Sequence, residues 1–253
     1  IDFTTLPAAR NLVYPSRGMF TSASNFVPIG GKQVSTSCTT NTYTNNNDYY
    51  FAGTFNGNGH TIKGLRIFAA NFDFIGLFGY MKTTSGTPLK NIGIIDANIS
   101  GKYNVGSLCG YITLINYNSS TSHAIVNVDN CYVKNSTIQG ASSIWAGGLI
   151  GYISYVSISN CYADKDTVVN CGGLIGGFTY SKASNCYVKN SIVTGNDEIG
   201  GFCTSLHLNE YNGALDNCYV ESTIVTSVSA SNIYVGGFSG GISCNNKPIT
   251  NCY

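Results

Sequence analysis

A single pattern recurs along this chain from about residue 75 to the last residue. One complete copy runs 25 residues from Asn160 to Asn185, with Asn-Cys-Tyr at each end and Gly-Gly-Leu-Ile-Gly between. The Asn position recurs six times, and the last five are followed by Cys-Tyr: Asn91, Asn130, Asn160, Asn185, Asn217 and Asn251. Repeats of this length are the signature of a solenoid, in which each copy buries its apolar side chains against its neighbours.

The apolar residues inside each copy indicate strands rather than helices. Counted from the Cys position, they fall three residues before it, two after it and seven after it, as at Ile158, Ala163 and Val168. They recur with period two within short segments, most are β-branched, and Gly, Asn or Ser separates the segments. The sequence therefore predicts an all-β fold, a single-stranded right-handed parallel β-helix of about six to seven coils with an N-terminal cap.

The Asn and Gly-Gly positions mark predicted corners. An apolar residue three before Cys and the Cys itself cannot both face inward on one continuous strand, so a corner must lie between them. Asn tolerates the left-handed backbone conformation, and amides form ladders between stacked strands. We therefore expect the six Asn side chains to be buried and hydrogen-bonded from coil to coil. Gly-Gly pairs such as Gly172-Gly173 predict another corner, where two stretches of backbone approach closely.

Five of the ten cysteines share one column of the predicted stack: Cys131, Cys161, Cys186, Cys218 and Cys252. Their density favours an oxidising compartment. Stacked neighbours would lie about 4.8 Å apart, within the Cα range of a disulfide, yet parallel side chains do not readily reach the required dihedral angle. A ladder of buried thiols and a stack of disulfides both stay open, and we expect the ladder. No Cys-x-x-Cys pair occurs, and no metal or other cofactor is expected.

Tyrosines follow these cysteines and should point outward from the stack: Tyr132, Tyr162, Tyr187, Tyr219 and Tyr253. A second column lies three residues after the Leu of the glycine-rich segment: Tyr80, Tyr111 and Tyr152. Two interpretations are open. The stacked rings stabilise the sheet face, as cross-strand aromatic pairs do, or they form an aromatic strip that contacts glycans or another protein chain.

The chain divides into two predicted regions. Residues 1–50 lack the repeat and are interpreted as an N-terminal cap and polar loop, while residues 51–253 form the β-helix. A cap is expected because the end of an uncapped β-helix exposes a strand edge. A longer spacing around residues 113–123 predicts a protruding loop. Three Asn-x-Ser/Thr sequons are glycosylation candidates only in a eukaryotic source: Asn98, Asn118 and Asn135.

Composition excludes several classes of partner. Charged residues make up 10% of the chain and the formal net charge is +1, so no basic surface for nucleic acid or an anionic membrane is expected. No run of 18 apolar residues predicts a membrane-spanning segment. The sequence begins at Ile1 without Met or a signal peptide, which is typical of a mature or excised segment.

Candidate catalytic residues are few. His60 is interpreted as structural, and His123 and His207 have no partner at catalytic spacing. A polysaccharide lyase or hydrolase on this fold would need converging carboxylates. Asp164 and Asp166 lie close together, but the matching positions of neighbouring coils hold no second acid column: Lys134, Ser136 and Lys189. We therefore expect no enzymatic activity.

Residues 146–151 (Ala-Gly-Gly-Leu-Ile-Gly) and 235–240 (Val-Gly-Gly-Phe-Ser-Gly), alternating with Asn-Cys-Tyr, resemble the GLUG repeats of bacterial surface proteins. Residues 26–30 and 51–62 are similar to the segment that opens such domains. The resemblance covers roughly residues 26–253. GLUG repeats occur in secreted adhesins and as appendages of immunoglobulin A proteases, so the resemblance implies a β-helix with an adhesive or structural role.

The sequence thus predicts a non-catalytic extracellular or cell-surface module whose partner is a protein or glycan surface ligand, or copies of itself. Two alternatives stay open: a subunit of a filament assembled head to tail, and a carbohydrate-active enzyme with a groove along one sheet. The last copy stops in mid-repeat at Asn251-Cys252-Tyr253. We expect an apolar coil face there that a further part of the polypeptide or another subunit covers.

Overall fold

The computed structural model describes residues 1–3, 24, 26–32, 48–69, 72–84, 86–115, 126–141, 145–208, 213–229 and 234–253. All structural features below belong to these residues. Their regular structure consists only of β-strands, which stack in parallel sheets except for one antiparallel pair near the N-terminus. The predicted all-β parallel β-helix is therefore confirmed. The described residues contain no helix long and apolar enough to cross a bilayer.

Each complete coil passes through four parallel sheets, named I to IV in the order in which the chain enters them. The coil around Asn160 visits them as Ala146–Gly147 (sheet I), Ile150–Ser154 (sheet II), Val156–Ser159 and Tyr162–Asp164 (sheet III), and Thr167–Val169 (sheet IV). The next coil begins with Cys171–Gly172, which pairs in parallel with Ala146–Gly147. Asn160 divides sheet III into an arm before it and an arm after it.

Sheets I and II form the glycine-rich side of the stack. Sheet I contains Ala146–Gly147, Cys171–Gly172, Ile199–Gly200 and Val235–Gly236. Sheet II contains Phe78–Thr83, Cys109–Leu114, Ile150–Ser154, Ile175–Thr179, Cys203–Leu208 and Ser239–Cys244.

Sheets III and IV form the opposite side. Three strands run through both arms of sheet III: Phe55–Lys63, Gly86–Ile95 and Val126–Lys134. Its first arm continues with Val156–Ser159, Lys182–Ser184, Ala214–Asp216 and Ile249–Thr250, and its second arm with Tyr162–Asp164, Tyr187–Lys189 and Tyr219–Glu221. Sheet IV contains Arg66–Ala69, Asn98–Gly101, Thr137–Gly140, Thr167–Val169, Ile192–Gly195 and Ile224–Ser227.

The core is built from columns of like residues, one from each coil. Val128, Ile158 and Leu215 occupy one such column and are 0–1% exposed, as the spacing before each Cys predicts. Burying an aliphatic side chain of this size stabilises the fold by about 1.5–3 kcal/mol relative to leaving it exposed. A single coil cannot bury such side chains by itself, so each coil depends on its neighbours.

The Gly-Gly corner has a steric cause. A Cβ added at Gly148, Gly173 or Gly201 would overlap the carbonyl oxygen of the corresponding glycine in the next coil. These glycines are required because stacked backbones approach too closely for a side chain, not because of a left-handed conformation. At Gly237, in the last coil, the added Cβ would meet nothing within 4 Å.

The described N-terminal residues lie against the first coils. The backbone of Lys63 exchanges hydrogen bonds with Ile1 and Phe3, and Ile29 pairs with Phe78. A two-stranded antiparallel sheet joins Gly31–Lys32 to Asp48–Tyr49. Most of residues 1–50 lie outside the described residues, so the boundary of the cap at residue 50 stays a prediction. The loop predicted around residues 113–123, with Asn118 and His123, lies mostly outside them as well.

Candidate functional site

The six repeated Asn residues form a corner between the two arms of sheet III, called the first corner here. All six have left-handed backbone conformations, with φ between 50° and 56°: Asn91, Asn130, Asn160, Asn185, Asn217 and Asn251. Their amides link neighbouring coils. Asn130 Nδ2 donates to Asn91 Oδ1 at 2.9 Å, and Asn217 Nδ2 donates to Asn185 Oδ1 at 2.8 Å.

Carboxylates replace the amide acceptor at two steps of this ladder. Asn160 Nδ2 donates to Asp129 Oδ1 at 2.8 Å, and Asn251 Nδ2 donates to Asp216 Oδ1 at 3.1 Å. The same carboxylate oxygens accept hydrogen bonds from the hydroxyls of Ser159 and Thr250 at 2.7 Å. Each Asp therefore joins two donors of the following coil.

The expectation that the Asn side chains are buried is wrong. Five of the six are exposed, and Asn91 is half-buried. The corner is convex: the residues that face inward lie on either side of Asn, so the Asn side chain itself projects into solvent. Exposed hydrogen bonds of this kind contribute less to stability than buried ones, because water competes for the same groups.

The Cys column lies directly inside the first corner. Cys131, Cys161, Cys186 and Cys218 are 0% exposed, while Cys252 in the last coil is half-buried. All cysteines with described side chains are free thiols. In the part of the chain that the structure describes, the column is thus a thiol ladder and not a disulfide stack.

These thiols also make hydrogen bonds. Cys161 Sγ donates to the carbonyl of Ser159 at 3.1 Å and accepts the backbone N–H of Cys131 from the preceding coil at 3.3 Å. Cys186 Sγ donates to the carbonyl of Ser184 at 3.2 Å. Burial raises the pKa of the Cys161 thiol, which keeps it protonated and able to donate. The column therefore links backbones as well as filling space.

A second corner lies five residues after each Asn, and the sequence analysis missed it. Its residues have left-handed conformations with φ between 48° and 61°, yet they share no residue type: Asp96, Asn135, Lys165, Asn190 and Ser222. The constant offset from the first corner is the signal that could have revealed it. Asn at two of the five positions, both tolerant of this conformation, is a second signal.

A buried polar column lies inside the second corner. Ser136, Asp166 and Ser191 are 1–2% exposed. Ser136 N donates to Asp166 Oδ1 at 2.7 Å, and Asp166 N donates to Ser191 Oγ at 3.1 Å, so each side chain accepts a backbone N–H of the preceding coil. The hydroxyls of Ser136 and Ser191 donate in turn to the carbonyls of Lys134 and Lys189, both at 2.8 Å.

Asp166 differs from its column neighbours because it is acidic. Its second oxygen, Oδ2, accepts the N–H of Asp164 at 3.1 Å. Burial raises the pKa of the Asp166 carboxyl to about 7, against the opposing effect of the two backbone N–H donors. The carboxyl faces the interior, whereas the strand pattern places Asp164 outward. The two acids weighed as a catalytic pair therefore do not share a face.

The five tyrosines after the Cys column form a continuous stack on the second arm of sheet III, called the tyrosine strip. Successive ring centroids lie 4.8–5.3 Å apart, and successive rings deviate from parallel by 5–9°. Its members are Tyr132, Tyr162, Tyr187, Tyr219 and Tyr253. Each ring face inside the stack is covered by its neighbour, so the strip presents ring edges and hydroxyl groups to solvent.

A row of charged side chains runs beside the tyrosine strip, two residues further along each strand. This charge row is Lys134, Asp164, Lys189 and Glu221, in register on neighbouring strands. The Lys134 ammonium lies 5.3 and 5.1 Å from the ring centroids of Tyr132 and Tyr162. The pKa of Lys134 is raised, chiefly by a hydrogen bond to Tyr162, and desolvation raises the pKa of Tyr187 to about 12. Tyr187 therefore keeps its hydroxyl proton, and Lys134 its charge, at neutral pH.

The second tyrosine column is organised differently. Tyr80 and Tyr111 are stacked at 5.2 Å, but Tyr152 meets Tyr111 edge-on. Phe74 stacks on Tyr80, Trp145 packs against Tyr152, and Tyr80 is only 6% exposed. This column belongs to an aromatic cluster on sheet II and does not present a regular strip.

The two described histidines lie on different sheets. His60 is exposed on Phe55–Lys63, and His207 is exposed on Cys203–Leu208. Two sequon residues, Asn98 and Asn135, are exposed, and their glycosylation stays a prediction conditional on a eukaryotic source. No group of three or more His, Cys, Asp or Glu suited to a metal ion occurs among the described residues.

Comparison with protein-family models finds no match, and comparison with curated proteins finds none. Among solved structures, the chain is similar to a crystal structure of a Bacteroides ovatus protein that carries the provisional name immunoglobulin A1 protease. The sequence identity is 18% and the TM-score 0.45, over 79% of this chain and 71% of that one.

Proposed function

We propose that this chain is a non-catalytic, extracellular structural or adhesive β-helix module. The observation that supports the proposal is the tyrosine strip. Five phenol hydroxyls stand at one strand spacing on a rigid, fully stacked sheet, and tyrosine edges of this kind are enriched at protein interfaces. Because the ring faces are covered, a glycan partner would be held mainly by hydrogen bonds rather than by stacking.

The inward turn of Asp166 also supports a non-catalytic role. A glycoside hydrolase or lyase on this scaffold would need two carboxyl groups that reach one substrate, and the Asp166 carboxyl is occupied by two backbone N–H groups in the interior. The carbohydrate-active alternative would then require acids from other parts of the chain.

Binding to immobilised polymers tests the proposal. The purified chain is passed over mucin and over dextran, and the length of each polymer is measured before and after incubation. We expect retention on at least one polymer, weakened in the double variant Tyr162→Ser/Tyr187→Ser, with no shortening of the polymer. The matched control is Tyr155→Ser/Tyr180→Ser, which removes another stacked pair outside the strip. Shortened polymer would overturn the non-catalytic role. Equal retention of wild type and the Tyr162→Ser/Tyr187→Ser variant would overturn the role of the strip.

A second candidate function is a head-to-tail filament subunit, which requires that the face of the coil at residues 234–253 be covered by another copy rather than by a further part of the same polypeptide. Large apolar side chains are exposed there although their column partners in inner coils are buried. Ile242 is 58% exposed against 0% for Leu206, and Ile249 is 42% exposed against 1% for Leu215. Such a face, with its strand edge, associates readily with another coil.

Light scattering distinguishes this candidate. If the face mediates assembly, Ile249→Lys should abolish large particles. The control is Ile192→Lys, because Ile192 is equally exposed at 43% but lies on the side of the stack in sheet IV. A wild-type chain without large particles, or particles unaffected by Ile249→Lys, would contradict the filament candidate.

A further inference from the structure

The second arm of sheet III carries a face made of parallel rows of side chains. The tyrosine strip lies between the exposed Asn residues of the first corner and the charge row. The angles of 5–9° between neighbouring rings show that the ring planes stay nearly parallel from coil to coil. Ladders of stacked side chains of this kind are typical of sheets that twist little. A regular, periodic face can contact a partner that has the same period.

The order of charges in the charge row selects that partner. From the N-terminal to the C-terminal coil the charges are positive at Lys134, negative at Asp164, positive at Lys189 and negative at Glu221. Read in the opposite direction, every position carries the opposite charge. The row is therefore complementary to a reversed copy of itself.

We propose that this face is a self-association surface, on which a second copy of the chain docks antiparallel about a two-fold axis between the coils of Tyr162 and Tyr187. In this arrangement Lys134 faces Glu221 of the other copy, and Asp164 faces Lys189. Both pairs occur twice, as two-fold symmetry requires. The inference rests on the proposed function only in taking the same strip as the contact surface.

Other arrangements of two copies are disfavoured by the same charges. Parallel docking with the tyrosine strips facing each other would place the charge row opposite the Asn residues of the first corner, so the charges would have no partner of opposite sign. Antiparallel docking shifted by one coil would place Lys134 opposite Lys189 and Asp164 opposite Asp164. Like charges placed directly opposite one another are destabilising. A shift of two coils would leave only two residues of the row paired, such as Lys134 with Asp164, whereas the unshifted antiparallel arrangement gives all four residues a partner of opposite charge, so the row favours that register.

Ion pairs within the chain leave the row available. Among the described residues, the ion pair within 4 Å joins Lys63 and Asp96; Lys63 lies in the same column two coils before Lys134 but is not one of the four residues of the row. The Asp164 carboxylate accepts a hydrogen bond from Asn190 Nδ2 at 3.0 Å and makes no ion pair within 4 Å in the part of the chain that the structure describes. The two lysines of the row lie over tyrosine rings instead, with the Lys189 ammonium 5.4 Å from the ring centroid of Tyr187. Both ammonium groups therefore lie beside the tyrosine strip on this face.

The size of the face implies weak association. The four ring spacings of 4.8–5.3 Å give it a length of about 20 Å, and a few rows of side chains give a width of about 15–20 Å. A standard stable interface buries about 800 Å² on each partner, roughly twice this area. We therefore expect a dimer that forms at high protein concentration and weakens with added salt. Local concentration on a surface would favour it.

Charge-reversal variants test the inference by analytical ultracentrifugation of the whole chain, at concentrations up to about 1 mM and with reductant present. Lys134→Glu places Glu opposite Glu221, and Glu221→Lys places Lys opposite Lys134. The dissociation constant of the dimer should be at least about tenfold higher for each variant alone than for wild type. An equimolar mixture of the two should associate again, because every facing pair is then of opposite charge. Lys182→Glu, the same change on the first arm of sheet III, is the control and should leave association unchanged.

Melting temperatures of all variants are compared with wild type to confirm folding, which the outward positions should preserve. A chain that stays monomeric at the highest concentration overturns the inference. Equal dimer formation by wild type and the charge-reversal variants overturns it as well. The same holds if the mixture of the two variants fails to associate. Mucin or dextran binding is measured in parallel. If a strictly monomeric chain binds mucin or dextran, the proposed function is supported and the self-association is not. If the chain forms dimers but binds neither polymer, only the self-association is supported.

Discussion

The two corners that flank the tyrosine strip have the same backbone but different side chains. At the first corner all six residues are Asn, while the second corner uses Asp, Asn, Lys, Asn and Ser, and φ lies between 48° and 61° at both. The left-handed conformation therefore does not by itself require a constant residue. Asn is repeated at the first corner because its amide can donate to the coil before and accept from the coil after.

The interiors of the two corners make the same connection with different atoms. Inside the first corner, Cys161 Sγ accepts an N–H from the preceding coil and donates to the carbonyl two residues back. Inside the second, Ser191 Oγ makes the same two bonds. Thiol and hydroxyl are thus interchangeable connectors in this fold. Asp166 is the exception, since a carboxylate can accept both bonds but cannot donate while it is ionised.

Replacement of Asp166 should have the largest effect on stability. Asp166→Ser restores the connector found in the neighbouring coils. The pKa of Asp166 is raised to about 7 in the folded state by burial, from about 3.9 in an unfolded chain. The neutral form is therefore favoured by folding. Wild-type stability should be greatest below about pH 4 and should fall by up to about 4 kcal/mol as the pH rises through 7.

Melting temperatures of wild type and Asp166→Ser between pH 4 and pH 9 measure this difference. We expect the variant to melt higher than wild type at pH 8, and the gap to shrink towards pH 4. Ser191→Ala, which removes a neutral connector, should lower the melting temperature equally at all pH values. A wild-type melting temperature that rises between pH 5 and pH 8 would contradict the assignment.

Removal of a connector inside the first corner should have the next largest effect. Cys161→Ala leaves the N–H of Cys131 without its acceptor in a fully buried position. An unsatisfied buried group of this kind costs about 1–3 kcal/mol. Cys161→Ser keeps a donor and an acceptor at the same place and should lose less. Denaturant titrations under reducing conditions compare the two, and equal losses would mean that the thiol only fills space.

Loss of an Asn side chain at the first corner should have a smaller effect. Asn160→Ala places in the left-handed conformation a residue that lacks the short polar side chain by which Asn tolerates it, which costs about 1–2 kcal/mol, and removes an exposed hydrogen bond to Asp129. Asn160→Gly relieves the backbone cost but removes the same amide. Thermal melts of both variants separate the two contributions. If Gly and Ala were equally destabilising, the amide ladder, not the backbone, would dominate this corner.

The sequence predicted the fold from columns whose residues repeat. The Asn, Cys and Tyr positions recur at one phase because most of these side chains interact with the same residue type in a neighbouring coil. The second corner escaped prediction because its only shared property is a backbone angle, which Lys165 and Asn190 both adopt. The exposure of Asn160 also escaped, since a period of two identifies inward columns but does not show on which side of a corner a residue projects.

The charge row could not be predicted from the sequence for a related reason. Lys134, Asp164, Lys189 and Glu221 occupy one column but share no residue type, so their alternation becomes visible only once the register of the strands is known. Likewise, Asp164 and Asp166 look like a pair in the sequence, but a left-handed corner at Lys165 lies between them and turns one of them inward. Corners decide which neighbours in sequence remain neighbours in space.

The smallest effect should come from making the second corner resemble the first. Lys165 has φ of 61° without the tolerance of Gly or Asn for this conformation, and its exposed side chain is not required inside the fold. Lys165→Asn should therefore stabilise the chain by about 0.5–1 kcal/mol. It also places an amide between Asn135 and Asn190 in the stack.

Lys165→Gly relaxes the same angle without an amide, and Gly loses more conformational freedom on folding. If an amide ladder forms at the second corner, the Asn variant should melt clearly above the Gly variant. Equal melting temperatures would show that the first corner owes its repeated Asn to the backbone angle alone.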